Sequence, residues 1–417
     1  MLNRFDVGSR ARDRASVTEM ASQDHTRGGD EAAPTAGAAA VDTADSAAFA
    51  HNLSDRDFRR ILIIKPSSLG DVVHALPVLH GLRQRYPAAH VAWLIAPPFD
   101  ALIRDHPALD EVIPFDRRVY GRMLSSPAAV RRFIGFLAAL RRGRFDLVID
   151  LQGLFRSGFL ARATAAPVRI GFAEAREFAH VFYTHRIPRR PADTHAVDRN
   201  YAVADLLGFA SVPITFDLAL TQSETTAAFR RLAECAPGDG PLIAILPGAR
   251  WETKRWPADR FAETIRAIRE RRLGRCLLLG SPDERDLCDR IAAASADDAE
   301  PVANLAGRTS LREMTAIIGL CNLVLCHDSA PLHIAVALRR PVVCITGPTN
   351  PSRTGPFRRP ESVCRIELDC SPCYYRRLRQ CPHAHRCMVD LSVDHVLERV
   401  RAVTGSLQTP VAGAPQP

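Results

Sequence analysis

At 417 residues and 47% hydrophobic content the chain is long enough for two domains with sizeable cores. A net charge of +9, carried mostly by Arg, points to anionic partners such as phosphorylated substrates or lipid headgroups, while 6% aromatic content and no basic stretch interleaved with stacking rings disfavour nucleic acid. No run approaches about 18 uncharged apolar residues and residues 1–20 are broken by Arg, Asp and Glu, so neither a spanning helix nor a signal peptide is expected; a cytosolic location and eleven reduced or metal-bound cysteines follow.

Residues 1–58 are rich in Ala, Asp, Ser, Thr and Gly and read as a disordered extension, with Met20 an alternative start. The apolar run Ile61–Ile64 predicts a buried strand. Val91–Ile95 and Leu147–Leu151 predict further strands, and Ala128–Arg142 has helical periodicity. The pattern weakens over Phe216–Gly240, and Ala236–Gly240 is strong loop punctuation. A second alternation follows: strand Leu242–Leu246, helix Trp256–Arg271, strand Cys276–Leu279, helix Asp283–Ala294, strand Leu323–Cys326, helix Pro331–Leu338 and strand Val342–Thr346, with Val393–Val403 a closing helix. Two βα arrays imply an α/β fold of two Rossmann-like parallel-sheet domains facing across a cleft. The expected boundaries are 59–235 and 236–404, with a frayed tail over 405–417. No GxGxxG follows either first strand and no GxxxxGK[ST] occurs, which argues against a dinucleotide oxidoreductase and a P-loop phosphotransferase.

Four loops lie between a predicted strand and a predicted helix, where open α/β sheets bind ligands. In Lys65-Pro66-Ser67-Ser68-Leu69-Gly70-Asp71, the two serines and the backbone at Gly70 can donate hydrogen bonds to a hydroxyl-rich or phosphorylated ligand. Asp71 is either a helix-start residue or a base for a substrate hydroxyl. In Asp150-Leu151-Gln152-Gly153, Asp150 and Gln152 can bind sugar hydroxyls and the later Arg156 a phosphate; the alternative is an Asx-type turn beside a surface Arg. Lys254 and Arg255, ahead of Trp256-Pro257, can hold a diphosphate at a helix start, or form a solvated basic loop. Asp328-Ser329-Ala330 reads as a helix cap whose amides face an anion site, with His333 one turn in, and Thr346–Pro351 adds hydroxyls to the same edge.

Two stretches stay open. Cys370, Cys373, Cys381 and Cys387, with His383 and His385 between, have zinc-like character but not paired CxxC spacing; packed thiols are the alternative. Arg117–Arg144 holds eight arginines and no acidic residue, and suits an anionic membrane surface or simply a solvated helix face.

Taken together, the order Lys-x-Ser-Ser-x-Gly-Asp, Asp-x-Gln-Gly-Leu, Lys-x-Trp-Pro, Asp-Ser-x-x-x-His and Gly-Pro-Thr-x-Pro over roughly residues 60–400 resembles the heptosyltransferases of glycosyltransferase family 9. Ala175–Glu177 and His195–Arg199 resemble members acting first in lipopolysaccharide core synthesis. Where many members read Gly-Leu, this chain has Ala330-Pro331. The resemblance implies a GT-B fold and an inverting, metal-independent transfer from a nucleotide sugar, typically ADP-heptose, to the lipopolysaccharide inner core. It implies Asp71 as base; Ser67, Ser68, Gly70, Asp150, Gln152 and Arg156 on the acceptor side; and Lys254, Arg255, Glu284, Asp328, Ser329, Ala330 and His333 on the donor side. The implied partners are a nucleotide sugar, a lipid A/core-type glycolipid and an anionic membrane surface touched peripherally, with no cofactor. In keeping with this, Asp55–Asp57, within the expected extension, is the only DxD. The alternatives are the same fold moving another sugar to another glycan, and a noncatalytic nucleotide-sugar-binding protein.

Overall fold

The computed structural model describes residues 53–116, 126–296 and 302–408. It holds two six-stranded, all-parallel sheets. The strands are β1 (Arg60–Ile64), β2 (His90–Ile95), β3 (Glu111–Pro114), β4 (Leu147–Asp150), β5 (Val168–Phe172), β6 (His185–Ile187), β7 (Leu242–Leu246), β8 (Arg275–Leu278), β9 (Ala303–Asn304), β10 (Leu323–His327), β11 (Val342–Ile345) and β12 (Val363–Cys364). The longer helices are α1 (Leu69–Arg85), α2 (Pro127–Arg142), α3 (Phe155–Ala163), α4 (Gln222–Cys235), α5 (Ala258–Glu270), α6 (Arg285–Ser295), α7 (Leu311–Leu320), α8 (Ala330–Ala337) and α9 (Val393–Gln408).

The sheet orders are β3-β2-β1-β4-β5-β6 and β12-β11-β10-β7-β8-β9. The first is the doubly wound order 3-2-1-4-5-6, and the second is its counterpart with β7 and β10 at the centre. Strands β4, β7 and β10 are fully buried and apolar apart from Asp150 and His327 at the ends of β4 and β10, and β1 is buried from Ile61 onward, as parallel strands covered on both faces must be. The chain reverses direction across the sheet between β1 and β4, and again between β7 and β10. Ligands bind outside the carboxyl ends of strands at such switch points. The four candidate loops follow β1, β4, β7 and β10, so each half carries two of them, one on either side of its switch point.

The halves are not packed independently. One hydrophobic cluster runs from Ile61 and Leu76 through Leu242, Ala244 and Leu246 to Leu332 and Ile334. Helix α1 packs directly against α8.

Three boundaries differ from the sequence reading. Leu53 and Phe58 are buried: Leu53 N–H donates to the Leu206 carbonyl at 3.0 Å, and Phe58 meets the Tyr86 ring edge-on, so the packed chain starts before residue 58. Asp55–Asp57 therefore lies on an ordered, exposed surface segment. Helix α4 occupies most of the weak stretch 216–240, opened by Thr221 and Glu224 as a capping box. It packs on α7, with Arg312 gripping Glu224, so it joins the second array although it precedes the Pro237–Gly240 loop. Helix α9 continues to Gln408, past residue 404. Residues 1–52, 117–125 and 409–417, which include most of the expected extension and Arg117, Arg118 and Arg122, lie outside the described residues.

Candidate active site

The first switch point is built around Asp71 at the start of α1. Its Oδ2 accepts from the Ser68 N–H at 3.0 Å and the Ser68 hydroxyl at 2.7 Å. The carboxylate thus ties down the helix start while 44% of its side chain stays exposed. Helix-start residue and candidate base are one arrangement here. Behind it, Lys65 is buried just past the end of β1; its Nζ donates to the Leu151 carbonyl at 2.8 Å and lies 3.8 Å from Asp71 Oδ1. Burial pushes the Asp71 pKa up, but the Lys65 ammonium, His74 and the Ser68 hydrogen bonds outweigh it and hold the carboxyl at about 2. Ser67 is half-exposed beside it.

Gly70 does not line ligand space. A Cβ there would stand 2.6 Å from His333 Cδ2, so glycine permits the close approach of α1 and α8. His333 bridges the halves: its Nδ1 is 3.0 Å from His74 Nε2, and its Nε2 is 3.9 Å from Asp328 Oδ1. His195 stacks edge-on against His74 and donates from Nε2 to the Gly355 carbonyl at 3.0 Å. Burial lowers all three imidazole pKa values, that of His333 to about 3. They are neutral at pH 7, and one member of the His74–His333 pair donates to the other.

The second switch point centres on Lys254. Its Nζ donates to the Asp328 carbonyl at 2.8 Å and to Asp328 Oδ2 at 2.9 Å, and sits 4.8 Å from the Trp251 ring centroid. Asp328 is buried and also accepts from Thr349 Oγ1 at 2.7 Å and Thr354 Oγ1 at 3.0 Å. Asp328 therefore aims the lysine. Ser329 is the N-cap of α8, yet its hydroxyl turns back to the His327 carbonyl at 3.3 Å, leaving the helix start without a side-chain cap. Of the first turn, Pro331 has no N–H and so forfeits no helical hydrogen bond, and the Leu332 N–H donates to the Ser329 carbonyl at 3.1 Å, which leaves the Ala330 N–H as the uncapped amide at the helix start. His327 locks the strand end: its Nε2 accepts from the Trp256 N–H at 2.8 Å, which leaves Nδ1–H pointing at the Gly248 carbonyl, 3.4 Å away. Burial lowers its pKa to about 4. Glu284 reaches across to the same loop; a Cβ on Gly248 would fall 1.8 Å from its Oε1, and its Oε2 accepts from Ser281 N–H at 2.7 Å. Arg255 is exposed, held by Nε to the Ala249 carbonyl at 2.8 Å.

The β4 loop departs most from its sequence reading. Asp150 is wholly buried: Oδ1 accepts from the Gln152 and Gly153 N–H groups at 2.9 and 3.1 Å, and Oδ2 from the Tyr183 hydroxyl at 2.7 Å. It is an Asx-type turn, closed to a sugar hydroxyl. Gln152 fares differently. Its Oε1 is buried without a donor among the described residues, and Arg156 stands exposed in the first turn of α3.

Sequence reading passes over Lys65, His74, His195 and Thr354 as site residues. One signal is available for the first. Of 55 Lys and Arg residues only two are lysine, Lys65 and Lys254, and each stands at a switch point. In a chain that otherwise uses Arg for positive charge, these two positions take the compact ammonium, whose single charge fits where a guanidinium fork does not.

Two doubly wound halves sharing one cleft, with a carboxylate on one wall and a lysine beside an open helix N-terminus on the other, define a GT-B glycosyltransferase. The family model described as glycosyltransferase family 9 (heptosyltransferase) matches residues 134–383. Lipopolysaccharide heptosyltransferase 1 of Pseudomonas aeruginosa is 31% identical over 75% of this chain and 86% of its own length. The enzyme of the same name from Escherichia coli is 30% identical over 73% and 93%. The structure of E. coli heptosyltransferase WaaC with ADP-2-deoxy-2-fluoro heptose superposes with a TM-score of 0.63 at 26% identity, covering 82% of this chain and 99% of that one. The chain belongs to glycosyltransferase family 9.

Proposed function

We propose that this enzyme transfers heptose from ADP-heptose to the inner core of lipopolysaccharide, with inversion and without a metal in the transfer step. The observation that carries the reading is His333, which packs on Gly70 beside Asp71 while its Nε2 lies 3.9 Å from Asp328 Oδ1, the carboxyl group that holds Lys254. A base and a phosphate-binding lysine thus share one cleft. Asp71 accepts the proton of the acceptor hydroxyl as that oxygen bonds to the anomeric carbon; the bond from that carbon to the diphosphate breaks, and the negative charge leaves on ADP. Lys254 and the Ala330 N–H at the start of α8 meet that charge. A carboxylate near pKa 2 is a weak base for a free alcohol. An oxygen bonding to an oxocarbenium-like carbon becomes strongly acidic, however, so a weak but positioned base suffices.

On the donor side, we assign Glu284, which lies against the Gly248 backbone, to the ribose hydroxyls, and Ser329 and Ala330 to the diphosphate. On the acceptor side, Ser67, the Gln152 Oε1 that has no donor among the described residues, and Arg156 offer hydroxyl and phosphate contacts. Beyond Arg156 the surface is apolar and basic: Phe155, Phe178, Val181 and Ile134 are exposed, as are Arg131, Arg132, Arg141 and Arg142 of α2. Such a face suits an anionic membrane carrying the glycolipid. Among the described residues no helix is long and apolar enough to cross it.

The test is a donor screen with purified protein and core-truncated lipopolysaccharide, with and without added Mg²⁺ or Mn²⁺, reading released ADP against UDP or GDP. ADP release only with both substrates present, not raised by either ion and reduced by a factor of about 10² or more in Asp71→Asn with ADP binding retained, supports the reading. Release of only UDP or GDP, or full turnover by Asp71→Asn, overturns it.

A further inference from the structure

The cysteine-rich segment is the feature that the transfer reaction leaves unexplained. Cys370, Cys373, Cys381 and Cys387 are spread over irregular chain and one short helical turn, yet all four line a single cavity of about 210 Å³. None is in a disulfide. Ser371, Tyr375, His383 and Arg386 complete the wall. Tyr374, Tyr375 and Leu378 are exposed, so the segment enters the core only at its end, through Cys387 and Met388. Four free thiols gathered around one cavity by a mostly irregular, largely exposed segment is the pattern of a structural metal site.

What the segment touches gives the site a purpose. The Glu252 N–H donates to the Arg376 carbonyl at 3.1 Å, the Leu378 N–H donates to Glu252 Oε2 at 3.1 Å, and the Thr253 hydroxyl donates to the Tyr375 carbonyl. His385 Nε2 lies 2.7 Å from the Thr253 carbonyl. On the other flank, Tyr374 N–H donates to the Pro348 carbonyl at 2.9 Å, and a Cβ on Gly347 would meet Cys387 Sγ at 2.7 Å. The segment therefore clamps both the loop bearing Lys254 and the loop bearing Thr349.

We propose that Cys370, Cys373, Cys381 and Cys387 bind one divalent, thiolate-preferring metal ion of the zinc or ferrous class, and that this ion staples the segment onto the Lys254 loop. The thiols are not already drawn to coordination distance: among the described residues no group of three or more His, Cys, Asp or Glu side chains is closed around one point. Binding would have to draw the four sulfurs inward. Four S–H bonds give up four protons as four sulfur–metal bonds form, the ion keeps its oxidation state, and the net charge of about −2 is partly offset by Arg386.

The test uses the full chain purified without chelator under reducing conditions. Expected are about one zinc or iron per chain by elemental analysis, and, after stripping and reloading with Co²⁺, the sulfur-to-cobalt charge-transfer absorption of a tetrahedral thiolate site. Cys370→Ser and Cys381→Ser should each lower metal to background, whereas Cys235→Ser, outside the segment, should leave it unchanged. Stripping the metal should accelerate amide hydrogen exchange at Glu252 and Leu378 at least severalfold. A wild-type protein with less than about a tenth of a metal per chain that also fails to give the cobalt–thiolate band overturns the site. Metal that persists in both serine variants does the same, and unchanged exchange on stripping overturns the staple. Every readout is independent of donor or acceptor identity.

Discussion

Lys65 Nζ stands 3.8 Å behind the Asp71 carboxylate while one of its own protons is anchored on the Leu151 carbonyl at 2.8 Å. It cannot swing away, because it is buried and the Trp93 indole N–H holds its backbone carbonyl at 3.2 Å. Lys65 is the strongest of the influences that depress the Asp71 pKa against the pull of burial. With Lys65→Met that influence goes and burial remains, so the Asp71 pKa rises. A base must be ionised, and the acidic limb of the pH profile of kcat/KM should therefore move to higher pH. A packing defect alone would lower activity equally at all pH values. An unmoved acidic limb in an active Lys65→Met enzyme would sink this role.

Gly70→Ala should damage the enzyme through the other half of the chain. The added Cβ would press on His333 at 2.6 Å, forcing α1 and α8 apart. We expect kcat/KM to fall at least tenfold, about 1.4 kcal/mol in transition-state binding. The double variant Gly70→Ala, His333→Ala removes the clash and should recover part of that loss relative to the product of the two single effects. Strict additivity, measured as a double-mutant cycle, would contradict the contact.

Lys254 shares its charge between ligand space and Asp328. Lys254→Met should weaken ADP binding about 10- to 100-fold by calorimetry, the range of an uncompensated charge contact of about 1.4–2.8 kcal/mol. Lys254→Arg should restore little. The bulkier planar fork does not reproduce the two bonds that one ammonium makes to the carbonyl and carboxylate of the same residue. Full rescue by Arg would mean that charge alone, not its placement, is what this position supplies.

The strand-to-helix loops are legible in sequence because their chemistry is local: an apolar run, a small polar turn and a charged residue lie close together along the chain. What escapes is non-local. Asp150 looks available for a sugar in sequence because its partner Tyr183 lies 33 residues downstream on another element. The His74–His333 pair joins residues 259 apart, and no periodicity announces it. Gly70 reads as a ligand-facing turn because the residue that requires its missing side chain belongs to the other half. Helix α4 is hidden by its polar composition; only Ala228 and Leu232 are buried along it, and its Thr221–Glu224 box is the sole local sign. Leu53 and Phe58 are two anchors in a polar segment whose average composition conceals them.

The buried histidines make a last prediction about acid. His74, His327 and His333 are held neutral by burial, with His327 at about 4 and His333 at about 3, against 6.5 in an unfolded chain. Between roughly pH 6.5 and 4 the unfolded chain binds protons that the folded one refuses. Stability therefore rises with pH across that window and is lost on acidification, by up to about 1.4 kcal/mol per pH unit for each independent histidine. The groups facing them set the sign. Asp71 and Asp328 favour the charged form of one or more of them, yet Lys65, Lys254 and Arg255 oppose it, and burial is the largest influence on all three. Protonating His327 would also turn an N–H toward the Trp256 N–H it now accepts from, unseating the loop that carries Lys254. Urea midpoints should thus fall steeply between about pH 6.5 and 5, and the donor site should open first, seen as loss of ADP binding before loss of far-ultraviolet circular dichroism. A midpoint flat across that interval would show that these histidines titrate normally in the folded protein.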